Sequence, residues 1–293
     1  MKLSLVIRTL NEAKHLMQLL QGIRAQHVPD HDVEVIVVDS GSTDGTLEIA
    51  ESMQARVVTI EKSEFTFGRS LNIGCAAASG DILIFISGHC IPVNNNWLAF
   101  LVDPIINGKV SYSYGKQIVD EKSKLSEGQL LKKYFPDNSA VPQHGFFVNN
   151  ANSALHKSIW KKFPFDETLT GLEDMDLGKR LVNSGLQIGY VAEASVFHLH
   201  DETWPQVRRR YERESIALQK IMPEVQLSFG DFLRFFFSAV LLDCGIALQE
   251  GKLHKSVGEI VMFRLMQFWG SFRGNHANRV LSREMKYRYF YPK

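Results

Sequence analysis

Apolar residues follow two rhythms along the first ninety positions of the chain. Leu3–Ile7 and Val33–Val38 are short, continuous, β-branched-rich runs, the pattern of parallel strands covered on both faces. Between them, the stretch from Asn11 to Gln26 has helical spacing, with Leu16, Leu19, Leu20 and Ile23 on one side. The alternation continues with a polar Ser-Gly-Ser-Thr-Asp-Gly loop at 40–45, a helix over Thr46–Met53 and a strand over Ala55–Ile60. A helix over Arg69–Ala78 follows, then a strand over Ile82–Ile86 that runs into Ser87-Gly88-His89. This βαβαβαβ order predicts an α/β fold with a doubly wound, mostly parallel sheet, whose ligands gather at the carboxyl ends of the strands.

From about 94 to 200 the pattern is mixed. It predicts a helix near Trp97–Leu101, a strand near Val110–Gln117, a polar stretch at 120–145, and helices near 156–162 and 173–184. The run Val191–Val196 then leads into His198-Leu199-His200. The Asn149-Asn150-Ala151-Asn152 segment is poor material for regular structure and predicts a loop. No internal repeat is found. Beyond residue 203 the chain reads as mainly helical, which predicts a body at 1–202, divided near 92, and a C-terminal helical appendix at 203–293.

Composition narrows the choices. With 45% hydrophobic and 22% charged side chains, the 293 residues exclude a disordered, collagen-like or low-complexity chain. The formal charge of +1 gives no global case for nucleic acid, but it conceals an asymmetry. Residues 1–202 hold 18 basic and 24 acidic side chains, and residues 203–293 hold 15 and 8. Three scattered cysteines read as reduced thiols of a cytoplasmic protein. The first apolar run is too short for a signal peptide, and Phe232–Leu248, interrupted by Arg234 and Asp243, is marginal for crossing a bilayer and predicted to be buried.

Candidate chemistry collects at the predicted strand ends. Arg8-Thr9-Leu10-Asn11-Glu12 and Asp39-Ser40-Gly41-Ser42-Thr43-Asp44 both fall where such a sheet opens toward ligand. Asp39 has the chemistry to accept hydrogen bonds from a base or a ribose, while either segment alone serves equally well as a helix cap. A third segment, Thr170-Gly171-Leu172-Glu173-Asp174-Met175-Asp176, predicts an acidic first helical turn, which suits the helix dipole. The adjacent Glu173 and Asp174 exceed what capping requires.

Thr9-Leu10-Asn11-Glu12, the Asp39–Thr46 loop, Asn72-Ile73-Gly74 leading to Ala78-Ser79-Gly80, and Glu173-Asp174 occur in an order that resembles the family 2 glycosyltransferases with a GT-A fold, over roughly residues 3–200. The resemblance implies an inverting, nucleotide-sugar-dependent transferase. Its donor pocket would draw on Thr9, Asn11, Glu12, Asp39, Ser40, Gly41, Arg69, Asn72, Ser87, Gly88 and His89. Asp174 would be the general base, with Glu173 as its orienting neighbour or an acceptor contact. Lys116, Gln117, Asn150 and Asn152 are candidates for contacting the acceptor or the sugar.

One departure stands out. The family's D-x-D metal motif is replaced by Ser87-Gly88-His89. His89, completed by His198 or His200, has the chemistry to hold Mn²⁺ or Mg²⁺; alternatively Ser87 and His89 bind the diphosphate directly. The Ser87–Cys90 segment, Gly115-Lys116-Gln117, Asn150–Ala154 and Gly171–Asp174 most resemble the rhamnosyltransferase-like branch, which implies dTDP-L-rhamnose as donor. The acceptor expected from the resemblance is a saccharide or lipid-linked glycan of a bacterial surface polysaccharide. A non-catalytic nucleotide- or glycan-binding subunit, or a transferase using a UDP-sugar, is the alternative. The tail, with Arg208-Arg209-Arg210 and Arg213 and an aromatic-rich helix at 260–273 striped by Arg264, Gln267 and Ser271, fits peripheral contact with the inner face of the cell membrane. Packing on the body or a homo-oligomer interface is its other reading.

Overall fold

A computed structural model describes residues 1–277. The first seven elements follow the hydrophobic pattern: β1 (Lys2–Thr9), α1 (Ala13–Arg24), β2 (Asp32–Asp39), α2 (Thr46–Ser52), β3 (Arg56–Thr59), α3 (Phe67–Ala77) and β4 (Ile82–Ser87). They are followed by β5 (Cys90–Pro92), α4 (Trp97–Ile106), β6 (Tyr112–Ile118), α5 (Leu125–Tyr134), β7 (Asn152–His156), α6 (Lys157–Lys162), α7 (Glu173–Asn183) and β8 (Ile188–His198). Three long helices close the described chain: α8 (Trp204–Ile221), α9 (Phe229–Gln249) and α10 (Leu253–Asn275).

The strands form one sheet in the order β3-β2-β1-β4-β7-β6-β8-β5. The pairs β1/β2, β1/β4, β2/β3 and β6/β8 are parallel, whereas β7 runs antiparallel to β4 and β6, and β5 antiparallel to β8. Strands β1, β2, β4, β6 and β8 therefore all end at one edge. Strand β4 explains why a continuous apolar run suits this layer. Ile82, Ile84 and Ile86 pack with α1 and α4 residues such as Leu16, Leu19, Trp97 and Leu101, while Leu83 and Phe85 pack with Leu71, Cys75, Leu177 and Leu181 on the other face.

The short β5 was not foreseen, and β7 and α5 depart from the sequence expectation. Strand β7 begins inside the asparagine-rich segment that was expected to be a loop, and it runs through the middle of the sheet. Asn152 is tolerated there because its amide donates to the carbonyls of Lys116 (3.1 Å) and Ala194 (2.7 Å) and accepts from the Trp97 indole (2.8 Å). Helix α5 occupies part of the polar stretch at 120–145. It reads as polar because its buried positions are Ser126, Glu127 and Gly128 instead of apolar residues.

The described chain divides into two compact units. One comprises Met1–Ser123, Leu130–Leu169 and Glu173–His200 and contains the whole sheet. The other comprises Lys124–Gln129, Thr170–Leu172 and the chain from Asp201 onward. Within the second unit, helix assignments from sequence hold but their faces are exchanged. The stripe of Arg264 and Gln267, expected to be the polar face of an interfacial helix, points inward. Arg264 is bidentate to the fully buried Asp243 (2.7 and 3.0 Å) and bonds Gln267 (2.8 Å). Asp243 also accepts from Ser126 (2.6 Å). Helix α9, expected to be buried, instead exposes Phe229, Leu233, Phe237, Leu241, Leu242 and Leu248. A buried charge on each of two helices must find its partner, and that requirement sets their rotation.

The basic cluster is also partly internal. Arg210 pairs with Glu202 (2.7 Å) and Glu127 (3.4 Å), so its charge is neutralised within this unit. Helices α8 and α10 approach so closely that a Cβ on Gly270 would lie 2.4 Å from the Arg208 carbonyl oxygen. The part of the terminal basic run at 278–293 lies outside the described residues.

Candidate active site

At the carboxyl edge of β1 and β2, two loops are stitched together. Asp39 is almost wholly enclosed, at 1% exposure. Its carboxylate accepts from the hydroxyls of Thr9 (2.9 Å) and Ser42 (2.5 Å) and from the backbone N–H groups of Gly41 and Ser42 (both 2.9 Å). Asn11 sits at φ +57°, a left-handed conformation that asparagine tolerates better than most side chains. From there its amide oxygen accepts the Thr43 N–H (2.9 Å), while its own N–H donates to Ser42 (2.8 Å). The Glu12 N–H donates to Thr46 (2.9 Å), and the Ala13 N–H donates to Asp44 (3.1 Å). Ser40 closes the set by donating to the Thr9 carbonyl.

Across the same edge, Glu173 and Asp174 open helix α7 and are both buried. Asp174 accepts the N–H of Asn150 (2.8 Å) and that of Met175 (2.8 Å). Burial and the adjacent Glu173 charge push its pKa up to about 7, against the downward pull of those two N–H groups and of Arg8. Arg8, at the end of β1, bonds Glu173 (3.1 Å) and lies over the Phe67 ring at 5.0 Å. The site expectation left this arginine out, although it stands in the same strand-end segment as Thr9 and Asn11 and the structure brings it to Glu173. Asn150, itself 2% exposed, accepts from Tyr112 and Ser153, and its amide nitrogen has no protein partner. A buried amide donor without a partner beside Asp174 is a ready contact for a ligand oxygen.

Three imidazoles meet at the ends of β4 and β8. One ligand nitrogen from each of His89, His198 and His200 lies within 4.8 Å of the others. His89 Nε2 and His198 Nε2 are 3.2 Å apart. His89 Nδ1 bonds Glu12 (2.9 Å), and His198 Nδ1 bonds Gln117 (2.6 Å). Gly88 allows this approach, because a Cβ there would lie 2.8 Å from Glu12 Cγ. The donor set fits a divalent cation: neutral imidazole nitrogens are borderline ligands suited to transition ions. The imidazoles replace the ligand atoms of a D-x-D carboxylate pair but not its charge, and Glu12 supplies a carboxylate behind His89.

The other expected residues have different surroundings. Ser87 ends β4 and Gly88 joins it to His89, on the same edge. Lys116 pairs with Asp137. Arg69 pairs with Glu64 in an exposed contact. Asn72 holds the Trp160 indole, the backbone N–H and carbonyl of Phe165, and the Glu167 carboxylate, so it fastens helix α3 to the 160–167 segment. Asn152 is fully enclosed in the sheet, which removes it from ligand contact and corrects its placement in a sugar-binding loop. Gln117 faces His198 and Asn149, and not open solvent.

The sequence profile of glycosyl transferase family 2 matches residues 4–163, more than half of the chain. The chain is 27% identical over 208 residues to the O-antigen chain rhamnosyltransferase WbaN of Salmonella anatum, covering 67% of this chain and 66% of that one, just under two thirds of its length. It is 25% identical over 243 residues to the O-antigen chain rhamnosyltransferase RfbN of Salmonella typhimurium, covering 78% and 76%. Among solved structures, a mannosyltransferase from Pyrobaculum calidifontis in complex with GDP-Man and Mn²⁺ superposes with a TM-score of 0.62 at 14% identity, over 98% of this chain and 87% of that one. Staphylococcus aureus TarS in complex with UDP-GlcNAc superposes with a TM-score of 0.58 at 15% identity, over 91% and 90%. These structural likenesses establish the GT-A fold expected from the sequence. The chain belongs to glycosyl transferase family 2.

Proposed function

We propose that the protein is an inverting transferase that moves L-rhamnose from dTDP-L-rhamnose to a saccharide hydroxyl in the synthesis of a bacterial surface polysaccharide or its lipid-linked precursor. The observation that carries the reaction class is Asp174, a buried carboxylate at the ligand edge, held by two backbone N–H groups, with its pKa raised to about 7. A base tuned to that range is about half ionised near neutral pH and takes a proton readily. As the acceptor oxygen bonds the anomeric carbon, its proton passes to Asp174. The bond from that carbon to the diphosphate breaks with its electron pair, and the nucleoside diphosphate leaves. Glu173 is fixed by Arg8, so the pair keeps one geometry through the step. Asn150 offers its free amide donor to a sugar oxygen. His89, His198 and His200 would hold a divalent cation, which supplies neutralising charge to the leaving diphosphate.

The rhamnose donor is supported by the two O-antigen rhamnosyltransferase relatives. A thermal-shift panel of dTDP-L-rhamnose, UDP-, GDP- and CMP-sugars tests it. The largest stabilisation is expected with dTDP-L-rhamnose, and a preference for a UDP-sugar overturns that donor. Transfer assayed with the preferred donor should give a product of inverted anomeric configuration, and binding without turnover would identify a non-catalytic subunit.

For the helical region we place peripheral membrane contact on α9. Its exposed Phe237, Leu241, Leu242 and Leu248 form an apolar face, with the exposed Arg234 on the same helix. No helix among the described residues is long and apolar enough to cross a membrane. Sedimentation with vesicles containing anionic lipid should recover the protein and lose it after Leu241→Asp with Leu242→Asp. Concentration-dependent self-association without vesicle binding would assign the face to a homo-oligomer instead.

A further inference from the structure

We propose that Asn149 and Gln117, together with Glu12, form a positioning shell that locks His198 and His89 so that both Nε2 lone pairs face one divalent cation, and that this shell selects a nitrogen-preferring transition ion over Mg²⁺. The inference rests on the reading that a cation serves the diphosphate, and it gives a role to Asn149 and another to Glu12 and Gln117, so far placed only as donor or sugar contacts.

The direction of each hydrogen bond follows from a single unambiguous donor. The backbone N–H of Ala151 points at the Asn149 side-chain oxygen (3.0 Å), and a backbone N–H only donates. That atom of Asn149 is therefore the carbonyl oxygen. The Gln117 group facing it at 2.9 Å must then be the NH₂, which turns the Gln117 carbonyl toward His198 Nδ1 at 2.6 Å. A carbonyl only accepts, so Nδ1 of His198 carries a hydrogen and Nε2 is the ring nitrogen turned toward His89. The same logic holds for His89, whose Nδ1 faces a Glu12 carboxylate oxygen at 2.9 Å. The two Nε2 atoms thus meet across 3.2 Å. With each ring in the neutral, Nδ1-protonated form that binds metal, both would offer a lone pair to one cation.

Two features make the arrangement specific. Gln117 and His198 are buried, at 2% and 8% exposure, so the relay is not remade by solvent. The rings are also held by backbone pairing: Cys90, next to His89, stands opposite His198 in the β5/β8 ladder, and the Leu199 N–H bonds the His89 carbonyl. His200 stands 4.1 Å from His198, ring to ring, and completes an all-imidazole set. Mg²⁺ favours oxygen ligands and sheds water reluctantly, whereas Mn²⁺, Co²⁺ and Zn²⁺ accept imidazole, so the shell discriminates by ligand type.

The experiment measures Mn²⁺ binding to the purified full chain, by the paramagnetic resonance of free Mn²⁺, with Mg²⁺ as competitor and thermal melting as the folding control. The wild type is expected to bind Mn²⁺ and to retain it against a tenfold excess of Mg²⁺. Gln117→Leu should weaken Mn²⁺ about 10- to 100-fold, the usual cost of losing an outer partner of a metal-bound histidine. Gln117→Glu, which keeps an acceptor for Nδ1–H, should recover most of that loss. Asn149→Ala, which frees Gln117 to turn, should give a smaller loss in the same direction and serves if Gln117→Leu does not fold. Unchanged Mn²⁺ affinity in Gln117→Leu, with binding abolished in His198→Ala, overturns the shell while leaving the cation. Equal competition by Mg²⁺ overturns the selectivity. A wild type that binds nucleotide sugar but no Mn²⁺ overturns the cation reading and the shell with it.

Discussion

In the half of the sheet built from β3, β2, β1 and β4, polar groups at the carboxyl edge are spent on one another. In the half built from β7, β6, β8 and β5, they are held with part of their bonding capacity open. Asp39 is surrounded by four donors from its own loops. Asp174 has two backbone N–H groups and a raised pKa, Asn150 keeps a donor without a partner, and His198 brings its Nε2 within 3.2 Å of that of His89, which follows β4. The first half spends its hydrogen bonds on shape; the second gathers a carboxylate of raised pKa and the unpartnered Asn150 amide. Both halves present the same sheet edge to ligand, so the difference comes from side-chain chemistry and not from position.

The contrast is broken or sharpened by substitution. Asp174→Asn should lower turnover about 10²- to 10⁴-fold while the thermal shift produced by donor remains, and a loss below tenfold would place the base elsewhere. Asp243→Ala should cost about 3–5 kcal/mol in urea unfolding, because it leaves Arg264 charged and buried without its carboxylate. Replacing both by apolar residues of similar volume should restore most of that stability. Asp39→Ala should cost about 2–4 kcal/mol by leaving several enclosed donors without an acceptor. If it removes donor binding with no loss of stability, the first half reads the ligand instead of setting shape.

Two smaller effects depend on pH. At the opposite end of the first half, Glu34 is held down at about 2. Its burial would raise the pKa, but hydrogen bonds from the Ser4 hydroxyl and from Ser79, with Lys2 nearby, outweigh it. A carboxylate depressed in the folded state stabilises above its unfolded pKa, near 4, and loses that contribution as pH falls toward 2. Glu34→Gln should therefore melt lower than wild type at pH 7, by about 1 kcal/mol, with the gap closing by about pH 2. The activity of the wild type should rise with pH through about 7, as Asp174 loses its proton. Glu173→Gln removes a negative neighbour and should move that limb to lower pH by up to about one unit.

Legibility in the sequence also divides along the sheet. The elements of the first half were readable because parallel strands covered on both faces are uninterrupted apolar runs and their helices carry one apolar stripe. Strand β7 was not, because Asn152 has poor strand propensity and is accepted only through the Lys116 and Ala194 carbonyls and the Trp97 indole, all distant in sequence. Helix α5 hides for a similar reason, with Ser126, Glu127 and Gly128 at its buried positions. The orientation of α9 and α10 was misread because a helical wheel weighs Arg264 and Asp243 as solvent-seeking charges, and only their pairing makes burial acceptable.

By itself the sequence determined the α/β order, the family and the short segments that line the ligand edge, since these depend on local spacing and on which residue types stand at strand ends. It named Glu173, Asp174 and the three histidines as candidates. Tertiary structure decided what those residues face: Arg8 beside Glu173, Asn150 behind Asp174, and Gln117 and Glu12 behind His198 and His89. These partners are separated by 24 to 165 positions in the chain. Hydrogen-bond direction, burial and the pKa shift of Asp174 are properties of such encounters, and no local pattern encodes them.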